Sequence, residues 1–445
     1  MNKEISILTS FSDFQRAYSL NIIVQYQIKM LLMNGYTPTV IVHESFKPQG
    51  IYAHAGVTIK YIPNMPVHNE LKKDETFDED VKKLESKLYE ILKDQDVVLT
   101  HDIIYQNACF KHNVVSRKVA KRLPNLKWLH WVHSATSPIL LNMVRPVFSD
   151  EYANLVSTPF PNSKIIYPNS YAVPSVAKNF GVSQEDISIV PHPTDIAAFF
   201  GMDKEVERVI FENDIFSADA ITTYPIRLDR GKQVEMVIKT MAQLKTFGLS
   251  IRVIIIDFHS TGGDKVTYRN DLKQLAIDEG LASNEVIFLS EQNKEWEHEV
   301  DPRIVANFQC ISNVFILPSV SETYSLIAQE AGLCKQVMVL NYDFPPFRSI
   351  YGENAIYRKY SSRYDVLADP VEALTENSET RTQYGSVNLP PEARKEAERQ
   401  YHRITAGMIA ARLQHPEMAM SSKLRRERNL QTVFKKYLEP LFFID

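Results

Sequence analysis

The feature that most constrains this chain is a regular alternation of apolar strands with helical stretches along most of its 445 residues. The series begins with the strand EISILTSF, the helical stretch LNIIVQYQIKMLLMNGY and the strand TPTVIVHE. It continues through the strands DVVLTHD, LKWLHWVHS and SKIIYPNS, with helical patterns between them. Strands that alternate with helices pair in parallel and carry helices on both faces of the sheet. The sequence therefore predicts an α/β fold built on a mostly parallel sheet.

A second series of the same kind begins near residue 218, and its strands are AITTYPIRL, SIRVIIIDF, EVIFLS, NVFILPS and QVMVLNYD. A chain of 445 residues is also longer than one hydrophobic core usually serves. We expect a Rossmann-like domain over residues 1–200, a second one over 201–390, and a helical tail over 391–445 that packs back on the first domain. Two facing domains imply a central cleft, and clefts between domains are favoured ligand sites.

Composition indicates a soluble globular protein. Hydrophobic residues make up 44% of the chain and charged residues 23%, and the net charge of -4 argues against wholesale polyanion binding. The three cysteines have no zinc-binding spacing, and their odd number favours a reducing compartment. No apolar run reaches the roughly 20 residues of a membrane span, and the N-terminus leads into a strand without a signal-peptide apolar region. We therefore expect a cytoplasmic location.

Charged residues follow two strands of the predicted second domain. Arg227 and Lys232 come after its first strand, whereas Glu322 and Glu330 come after the strand that ends in FILPS and are separated by seven residues. The carboxyl ends of parallel strands are where α/β sheets bind ligands. An arginine and a lysine at such a point can bind an anionic group, and the helix that starts near Tyr324 adds free backbone N–H groups.

This pattern resembles the donor domain of the retaining glycosyltransferases of family four, which have the GT-B fold and use nucleotide-sugars. The family has two glutamates separated by seven residues and followed by alanine, which here are Glu322, Glu330 and Ala331. It also has an Arg-Leu pair with a lysine five residues after the arginine, matched here from Arg227 to Lys232. The stretches IIYPNSYAVPSVAKNFGV and ISIVPHPTDIAAFF follow the order of the family, and the resemblance extends over about residues 90 to 360.

The resemblance implies a glycosyltransferase that retains the anomeric configuration and uses neither a metal nor another cofactor. Glu330 would accept hydrogen bonds from both ribose hydroxyls, and Glu322 would contact the sugar or the charge of the transition state. The predicted donor-binding residues are Arg227, Lys232, Glu322, Thr323, Tyr324, Ser325, Leu326 and Glu330. The predicted catalytic residues are His133, Glu322, Arg227 and Lys232. The alternative for each charged residue is a solvated helix or loop position.

Histidines end two strands of the first domain. His133 follows the strand LKWLHWV, where relatives carry a histidine that reaches the donor sugar near the reacting carbon. His101 and Asp102 end the preceding strand and are predicted to line the acceptor side. His130 has the opposite side-chain parity from His133 and is predicted to be structural. A lone histidine is more often structural, and that alternative stays open for His133 as well.

The chain departs from the family at several glycines. The family has Gly-Phe-Gly after the first glutamate, where this chain has Thr323, Tyr324 and Ser325. Family glycines are also replaced by Ile226 and Gln233. Glycine lets a ligand approach the backbone closely. We therefore expect the donor to be seated differently from the family pattern, or to be an unusual one.

Two Asp-x-Asp patterns are candidate metal ligands. Asp78 and Asp80 open an acidic helix, a position that the helix dipole favours, and Asp94 and Asp96 lie between a helix and a strand. We interpret both as structural and expect no catalytic metal.

Basic residues cluster on two helical stretches. Their members are Lys111, Arg117, Lys118, Lys121 and Arg122, and Lys423, Arg425, Arg426, Arg428, Lys435 and Lys436. One interpretation is a solvated helix face. The other is a polyanionic acceptor, namely a lipid surface, a phosphorylated glycan or DNA with a hydroxymethylated base.

Three other functions are compatible with the fold. A nucleotide-sugar epimerase would isomerise the donor without an acceptor. A phosphorylase would need a pyridoxal-phosphate lysine, for which the sequence has no convincing candidate. A non-catalytic scaffold or glycan-binding subunit would fit the lost glycines, but the retained Arg227, Lys232, Glu322 and Glu330 argue against it.

Overall fold

A computed structural model of the protein describes residues 3–63, 73–137, 140, 149–258, 265–319, 322, 324–360 and 391–443. The chain divides into two compact units, residues 1–195 with 428–445 and residues 196–427. Each unit is built on one parallel sheet. Within the described ranges, every helix is too short or too polar to cross a membrane.

The first unit has a seven-stranded sheet in the order β3-β2-β1-β4-β5-β6-β7. The strands are β1 Ile5–Leu8, β2 Thr39–His43, β3 Thr58–Ile62, β4 Val97–His101, β5 Lys127–Trp131, β6 Ser163–Tyr167 and β7 Ile187–Ile189. β1 pairs with both β2 and β4, so the order of the strands reverses between β1 and β4. Ligands bind beyond the carboxyl ends of the strands at such a switch point.

Helices cover the first sheet because their apolar residues recur at helical spacing. In the second helix, Val81, Leu84, Leu88 and Leu92 are all buried. The helices are α1 Ser19–Met33, α2 Phe77–Leu92, α3 Phe110–Arg122, α4 Ser149–Val156 and α5 Val173–Phe180. Gly181 ends α5 with a positive φ of 65°, the left-handed cap that glycine adopts most readily.

The second unit repeats this plan with a six-stranded sheet in the order β10-β9-β8-β11-β12-β13. Its strands are β8 Ala220–Arg227, β9 Ile251–Phe258, β10 Val286–Phe288, β11 Val314–Leu317, β12 Val337–Asn341 and β13 Ile356–Arg358. The switch point lies between β8 and β11, which pair through Thr222 and Val314. Both sheets thus have the Rossmann strand order.

Helices also surround the second sheet. They are α6 Ile196–Phe199, α7 Lys204–Glu212, α8 Val234–Leu244, α9 Lys265–Asp278, α10 Pro302–Ile311, α11 Leu326–Leu333 and α12 Pro345–Tyr351. Strands such as β9 are apolar nearly throughout because a parallel sheet is covered on both faces.

The C-terminal helices contribute to both units. α13 Pro391–Leu413 packs on α8, and α14 Pro416–Arg428 follows it. α15 Leu430–Val433 and the turns after it pack on α1 of the first unit. The predicted α/β class, with two Rossmann-like domains and C-terminal helices, is confirmed. The donor role that the resemblance implies for the second domain stays a prediction.

Candidate functional site

The switch point of the second sheet brings two predicted residues into contact. The Lys232 Nζ is 2.5 Å from the Glu322 Oε1, although 90 positions separate the two residues. Their side chains are only 22% and 14% exposed. The Tyr224 hydroxyl donates a hydrogen bond of 2.9 Å to the Lys232 carbonyl and fixes the loop that carries the lysine. Burial, followed by the Glu322 charge, holds the pKa of Tyr224 well above its usual value.

Arg227 lies at the same edge of the sheet but points more towards solvent. It is the last residue of β8, its side chain is 55% exposed, and its Nε is 3.7 Å from the Asp229 carboxylate. A turn at Arg230–Lys232 then leads into α8. The guanidinium and the Lys232 ammonium therefore follow the same strand, and both are accessible to an anion at its end.

Two residues at this edge have a backbone conformation that favours glycine. Gln233, directly before α8, has a φ of 49°, and Ser325, directly before α11, has a φ of 65°. A left-handed conformation costs an ordinary L-residue roughly 1–2 kcal/mol. These are two of the positions where the resembling family has glycine, so this chain has side chains where that family has none. Such strained residues concentrate at functional sites.

Helix α11 and the two residues before it contain the remaining predicted donor-binding residues that the structure describes. Glu330 is exposed on this helix, about 6 Å along the axis from Leu326. Leu326 is 68% exposed and Tyr324 is 48% exposed, and the Tyr324 hydroxyl accepts a hydrogen bond of 2.8 Å from the Gln329 amide. The hydroxyl of Ser325 is buried and has no hydrogen-bond partner. Thr323 lies outside the described residues.

The edge of the first sheet brings together His101 and His133. The Nδ1 of His101 is 3.2 Å from the Nε2 of His133, and the two rings are stacked with centroids 5.5 Å apart. His101 is fully buried, whereas His133 is half-buried. Burial and the neighbouring His192 lower the pKa of His133 to about 4. The imidazole is therefore neutral near pH 7, so one of its nitrogens donates a hydrogen bond and the other accepts one.

Asp102 is strained and buried beside these histidines. Its φ is 62°, it is 7% exposed, and its carboxylate accepts a hydrogen bond from the Tyr105 hydroxyl. Burial raises the pKa of Asp102 to about 6, and hydrogen bonds from Tyr105 and from the His133 backbone oppose that rise. A strained carboxyl with a raised pKa at a switch point has the properties of a functional residue.

His192 was missed by sequence reasoning. It follows β7 in the turn PHPTD, and its ring stacks on His133 with centroids 5.4 Å apart and an angle of 13°. It also stacks on Trp131 at 6.0 Å. The available signal was its place directly after a strand of the same sheet. His130, by contrast, is buried and contacts the Thr100 hydroxyl through its Nδ1 at 2.8 Å.

The acidic pairs predicted to be structural have local partners. The Asp80 carboxylate is 2.5 Å from the Lys111 ammonium. Asp96 accepts a hydrogen bond of 2.8 Å from the Glu4 backbone and lies 3.5 Å from Lys3. Across the part of the chain that the structure describes, three or more histidine, cysteine, aspartate or glutamate side chains nowhere gather as a metal would require.

Most of the basic residues on α3 have partners within the first unit. Lys118 and Arg122 both contact Glu85 of α2, at 3.8 and 3.2 Å. Arg117 is buried and donates hydrogen bonds to the carbonyl groups of Leu155, Thr158 and Pro159. These contacts fix α3 to its neighbours and leave Lys121 exposed.

In α14, Arg425 and Arg426 have structural partners. Arg425 is 8% exposed and donates to the Asp219 carbonyl, and Arg426 lies 3.0 Å from the Asp219 carboxylate. Both side chains are therefore engaged within the second unit.

Comparison with known families identifies the segment that carries the Lys232–Glu322 pair. Residues 205–387 match the family described as glycosyl transferases group 1. The match covers less than half of the chain. It includes the loops after β8 and β11 and the whole of α11. The predicted resemblance to glycosyltransferases is thus confirmed over this segment, at the level of the group 1 family. No curated protein sequence matches the chain.

Solved structures with similarity to the whole chain include several glycosyltransferases. HepE of Anabaena in complex with UDP is 13% identical with a TM-score of 0.31, and the match covers 94% of this chain and 100% of that one. Trehalose-6-phosphate synthase OtsA is 11% identical with a TM-score of 0.38 and 99% coverage of both chains. WaaG, a glycosyltransferase involved in lipopolysaccharide biosynthesis, is 11% identical with a TM-score of 0.31, covering 95% of this chain and 99% of that one.

Proposed function

We propose that the protein is a retaining glycosyltransferase that moves a sugar from a nucleotide-sugar to an acceptor without a catalytic metal. The observation that carries the proposal is the contact of 2.5 Å between Lys232 and Glu322 at the switch point of a glycosyl transferases group 1 domain. Cleavage of a nucleotide-sugar develops negative charge on the diphosphate and positive charge on the sugar. Lys232 can stabilise the negative charge and Glu322 the positive charge, because the two side chains lie at one point.

Each residue has a role that its position supports. Arg227 and Lys232 hold the diphosphate, helped by free backbone N–H groups at the start of α11. Glu330, exposed further along α11, accepts hydrogen bonds from the ribose hydroxyls. Glu322 contacts the sugar or the charge of the transition state. The bond between the anomeric carbon and the diphosphate oxygen breaks, the acceptor oxygen bonds to that carbon on the same face, and the acceptor proton passes to the diphosphate.

Two substitutions test the site because the two glutamates should fail differently. Glu330→Ala should weaken binding of the nucleoside diphosphate by about 10- to 150-fold, since a charged hydrogen bond contributes roughly 1.5–3 kcal/mol. Glu322→Gln should lower kcat and leave diphosphate affinity nearly unchanged, because its interaction strengthens in the transition state. Calorimetry with the diphosphate and steady-state kinetics separate the two effects.

Glu299→Ala is the matched control, since Glu299 is another exposed acid of the second unit. A thermal-shift screen of nucleotide-sugars selects the donor, because a ligand at 100 times its Kd adds roughly 2.7 kcal/mol. If both site variants bind and turn over like the parent, the proposal fails. Conversion of the donor in the absence of any acceptor would indicate an epimerase instead.

Retention and metal independence have separate tests. The product should have the anomeric configuration of the donor when examined by NMR, and turnover should survive excess EDTA. An inverted product would contradict the same-face mechanism. Activity lost with EDTA and restored by manganese would assign a metal role to the Asp-x-Asp patterns.

The proposal extends to a polyanionic acceptor, and salt dependence tests that extension. Rising salt should weaken acceptor binding steeply and leave nucleotide binding nearly unchanged. Lys121→Glu and Lys423→Glu are suitable reversals because both residues are exposed. Arg425 and Arg426 are unsuitable because their replacement also breaks contacts with Asp219. An acceptor affinity that ignores salt and both reversals would favour a solvated helix face.

A further inference from the structure

A chain of polar contacts lies behind His133 in the first unit. Gln27, on α1, has its side-chain oxygen 2.8 Å from the Nε2 of His101. The other ring nitrogen of His101, Nδ1, is 3.2 Å from the Nε2 of His133. Gln27 and His101 are both fully buried, and His133 is half-buried. The chain therefore leads from the interior to a ring that solvent can reach.

The donor and the acceptor of each contact can be assigned because both rings are neutral. Burial, and then the neighbouring histidine rings, hold the pKa of His101 well below its usual value, and burial likewise lowers that of His133. A neutral imidazole has one N–H donor and one acceptor nitrogen. The Gln27 oxygen only accepts, so His101 carries its proton on Nε2. Its Nδ1 then accepts from the Nε2–H of His133, and the Nδ1 of His133 is left as an acceptor.

Aromatic neighbours hold the planes of these rings. Trp131 stacks on His101 with centroids 5.9 Å apart and an angle of 18°. His192 stacks on His133 with centroids 5.4 Å apart and an angle of 13°. Stacking limits rotation of each ring, and the hydrogen bonds then select which nitrogen carries the proton.

We propose that Gln27 is a positioning residue which, through His101, fixes His133 in the tautomer whose Nδ1 accepts a hydrogen bond from a ligand hydroxyl. Sugar hydroxyls are donors of this kind. The identity of the ligand rests on the proposed function, whereas the tautomer of His133 does not. Gln27 acts at a distance from the ligand because its side chain is fully buried.

Nitrogen NMR of the full chain labelled with ¹⁵N-histidine tests the tautomer directly, without any substrate. In the parent, His101 and His133 should both be protonated on Nε2 near pH 7. Gln27→Met keeps the length of the side chain and removes its hydrogen bonds, so both rings should become mixtures of tautomers. Gln243→Met, which also changes a buried helical glutamine, should leave both rings as in the parent. Assignment of the two rings uses His101→Phe, which keeps the stacking and should release the tautomer of His133.

Two NMR results would overturn the proposal. Rings protonated on Nδ1 in the parent would mean that the Gln27 amide donates rather than accepts. A single unchanged tautomer in Gln27→Met would mean that Gln27 does not set it. If Gln27→Met fails to fold, Gln27→Leu, which also removes the contact with His101, is measured in its place with the same two outcomes.

Kinetics then connect the tautomer to transfer. Gln27→Met should lower kcat roughly 10-fold or more, by analogy with residues that orient metal-ligating histidines through a hydrogen bond, and diphosphate affinity should stay as in the parent. An unchanged kcat beside a changed tautomer would exclude a role in transfer. If the tautomers are as expected but no nucleotide-sugar binds or reacts, the proposed function fails and the positioning of His133 stands.

Discussion

Asp102 combines a strained backbone conformation with a buried ionisable side chain. Its backbone is left-handed, its carboxyl is nearly buried, and it lies directly after the strand that ends in His101. Burial raises its pKa to about 6 from an ordinary value of 3.8. The folded protein therefore binds a proton here in a pH range where the unfolded chain does not, and stability falls as pH rises through that range.

Asp102→Asn should remove this pH dependence. Asparagine tolerates the left-handed conformation and cannot ionise. Relative to the parent, the variant should gain about 1.4 kcal/mol more free energy of unfolding at pH 8 than at pH 5, since roughly one proton is exchanged over that range. Urea unfolding at the two pH values measures the difference. An equal change in unfolding free energy at the two pH values would show that the pKa of the carboxyl is not raised in the folded protein.

At the scale of elements, the starts of α8 and α11 explain the lost glycines. Gln233 and Ser325 have positive φ values without being glycine, so both positions carry backbone strain that a glycine would avoid. The Gln233 side chain is also 5% exposed, and its amide oxygen has no hydrogen-bond partner. A buried polar atom without a partner costs about 1–3 kcal/mol, which adds to the backbone strain.

The stability of variants at Gln233 should therefore depend on how well the new residue tolerates a positive φ, and not on its helix propensity. Gln233→Gly relieves the left-handed strain, whereas Gln233→Val places a β-branched residue where it is least tolerated. We expect the glycine variant to be more stable than the valine variant by about 2 kcal/mol in urea unfolding.

Gln274, exposed in the interior of α9, is the matched control for this pair. Its backbone is helical, so Gln274→Gly should be the less stable of the two corresponding variants. If the glycine variant were the less stable of the two at position 233 as well, the left-handed conformation of Gln233 would be contradicted.

The sequence allowed the fold and part of the site to be predicted because both depend on local patterns. Alternating strands and helices determine a parallel sheet, and residues after neighbouring strands must meet, as Lys232 and Glu322 do. Stacking of His192 on His133 could not be predicted, since it depends on how far each loop turns back. Gln27 gave no signal either, because a buried polar residue on an apolar helix resembles an ordinary surface position.

At the scale of the whole molecule, buried histidines in both units make the protein sensitive to acid. His130 in the first unit and His402 in the second are both buried, and burial lowers the pKa of each to about 3. The unfolded chain binds these protons below about pH 6.5, where the folded one does not. Each histidine therefore contributes stability that is complete above pH 6.5 and is lost as pH falls towards 3, by up to about 1.4 kcal/mol per pH unit.

Replacing either histidine should make the free energy of unfolding less dependent on pH in the acid range. His402→Asn keeps a polar atom near the Thr240 hydroxyl, which the His402 Nδ1 contacts at 2.8 Å, and removes the titration. His130→Asn does the same beside Thr100 in the first unit. Each should reduce the slope of unfolding free energy against pH between 4 and 6 by up to about 1.4 kcal/mol per unit, as urea titrations would show. His415→Asn, at an exposed histidine, is the control, and slopes equal to the parent would contradict neutral buried rings.

The C-terminal segment after residue 427 should be essential to the first unit alone. Its buried apolar residues, none more than 8% exposed, are Leu430, Val433, Phe434, Leu438, Leu441 and Phe442. Tyr36, beyond the end of α1, contacts two of their rings at 5.9 Å and donates a hydrogen bond to Glu439. Burial of one such side chain contributes about 1.5–3 kcal/mol, so six contribute roughly 9–18 kcal/mol in gross terms. That sum is comparable with the 5–15 kcal/mol that keeps a typical domain folded.

A chain that ends at Glu427 should therefore retain the second unit and lose the first. Hydrogen exchange followed by mass spectrometry should show rapid exchange in β1, β4 and β5 but protection in β8, β9 and β11, because the core of the second unit contains no residue from the deleted segment. The milder variant Phe434→Ala should cost about 3–5 kcal/mol, whereas Phe443→Ala, at a residue 53% exposed, should change stability little. Full protection of β1, β4 and β5 in the truncated chain would mean that the first sheet has a sufficient core without these side chains.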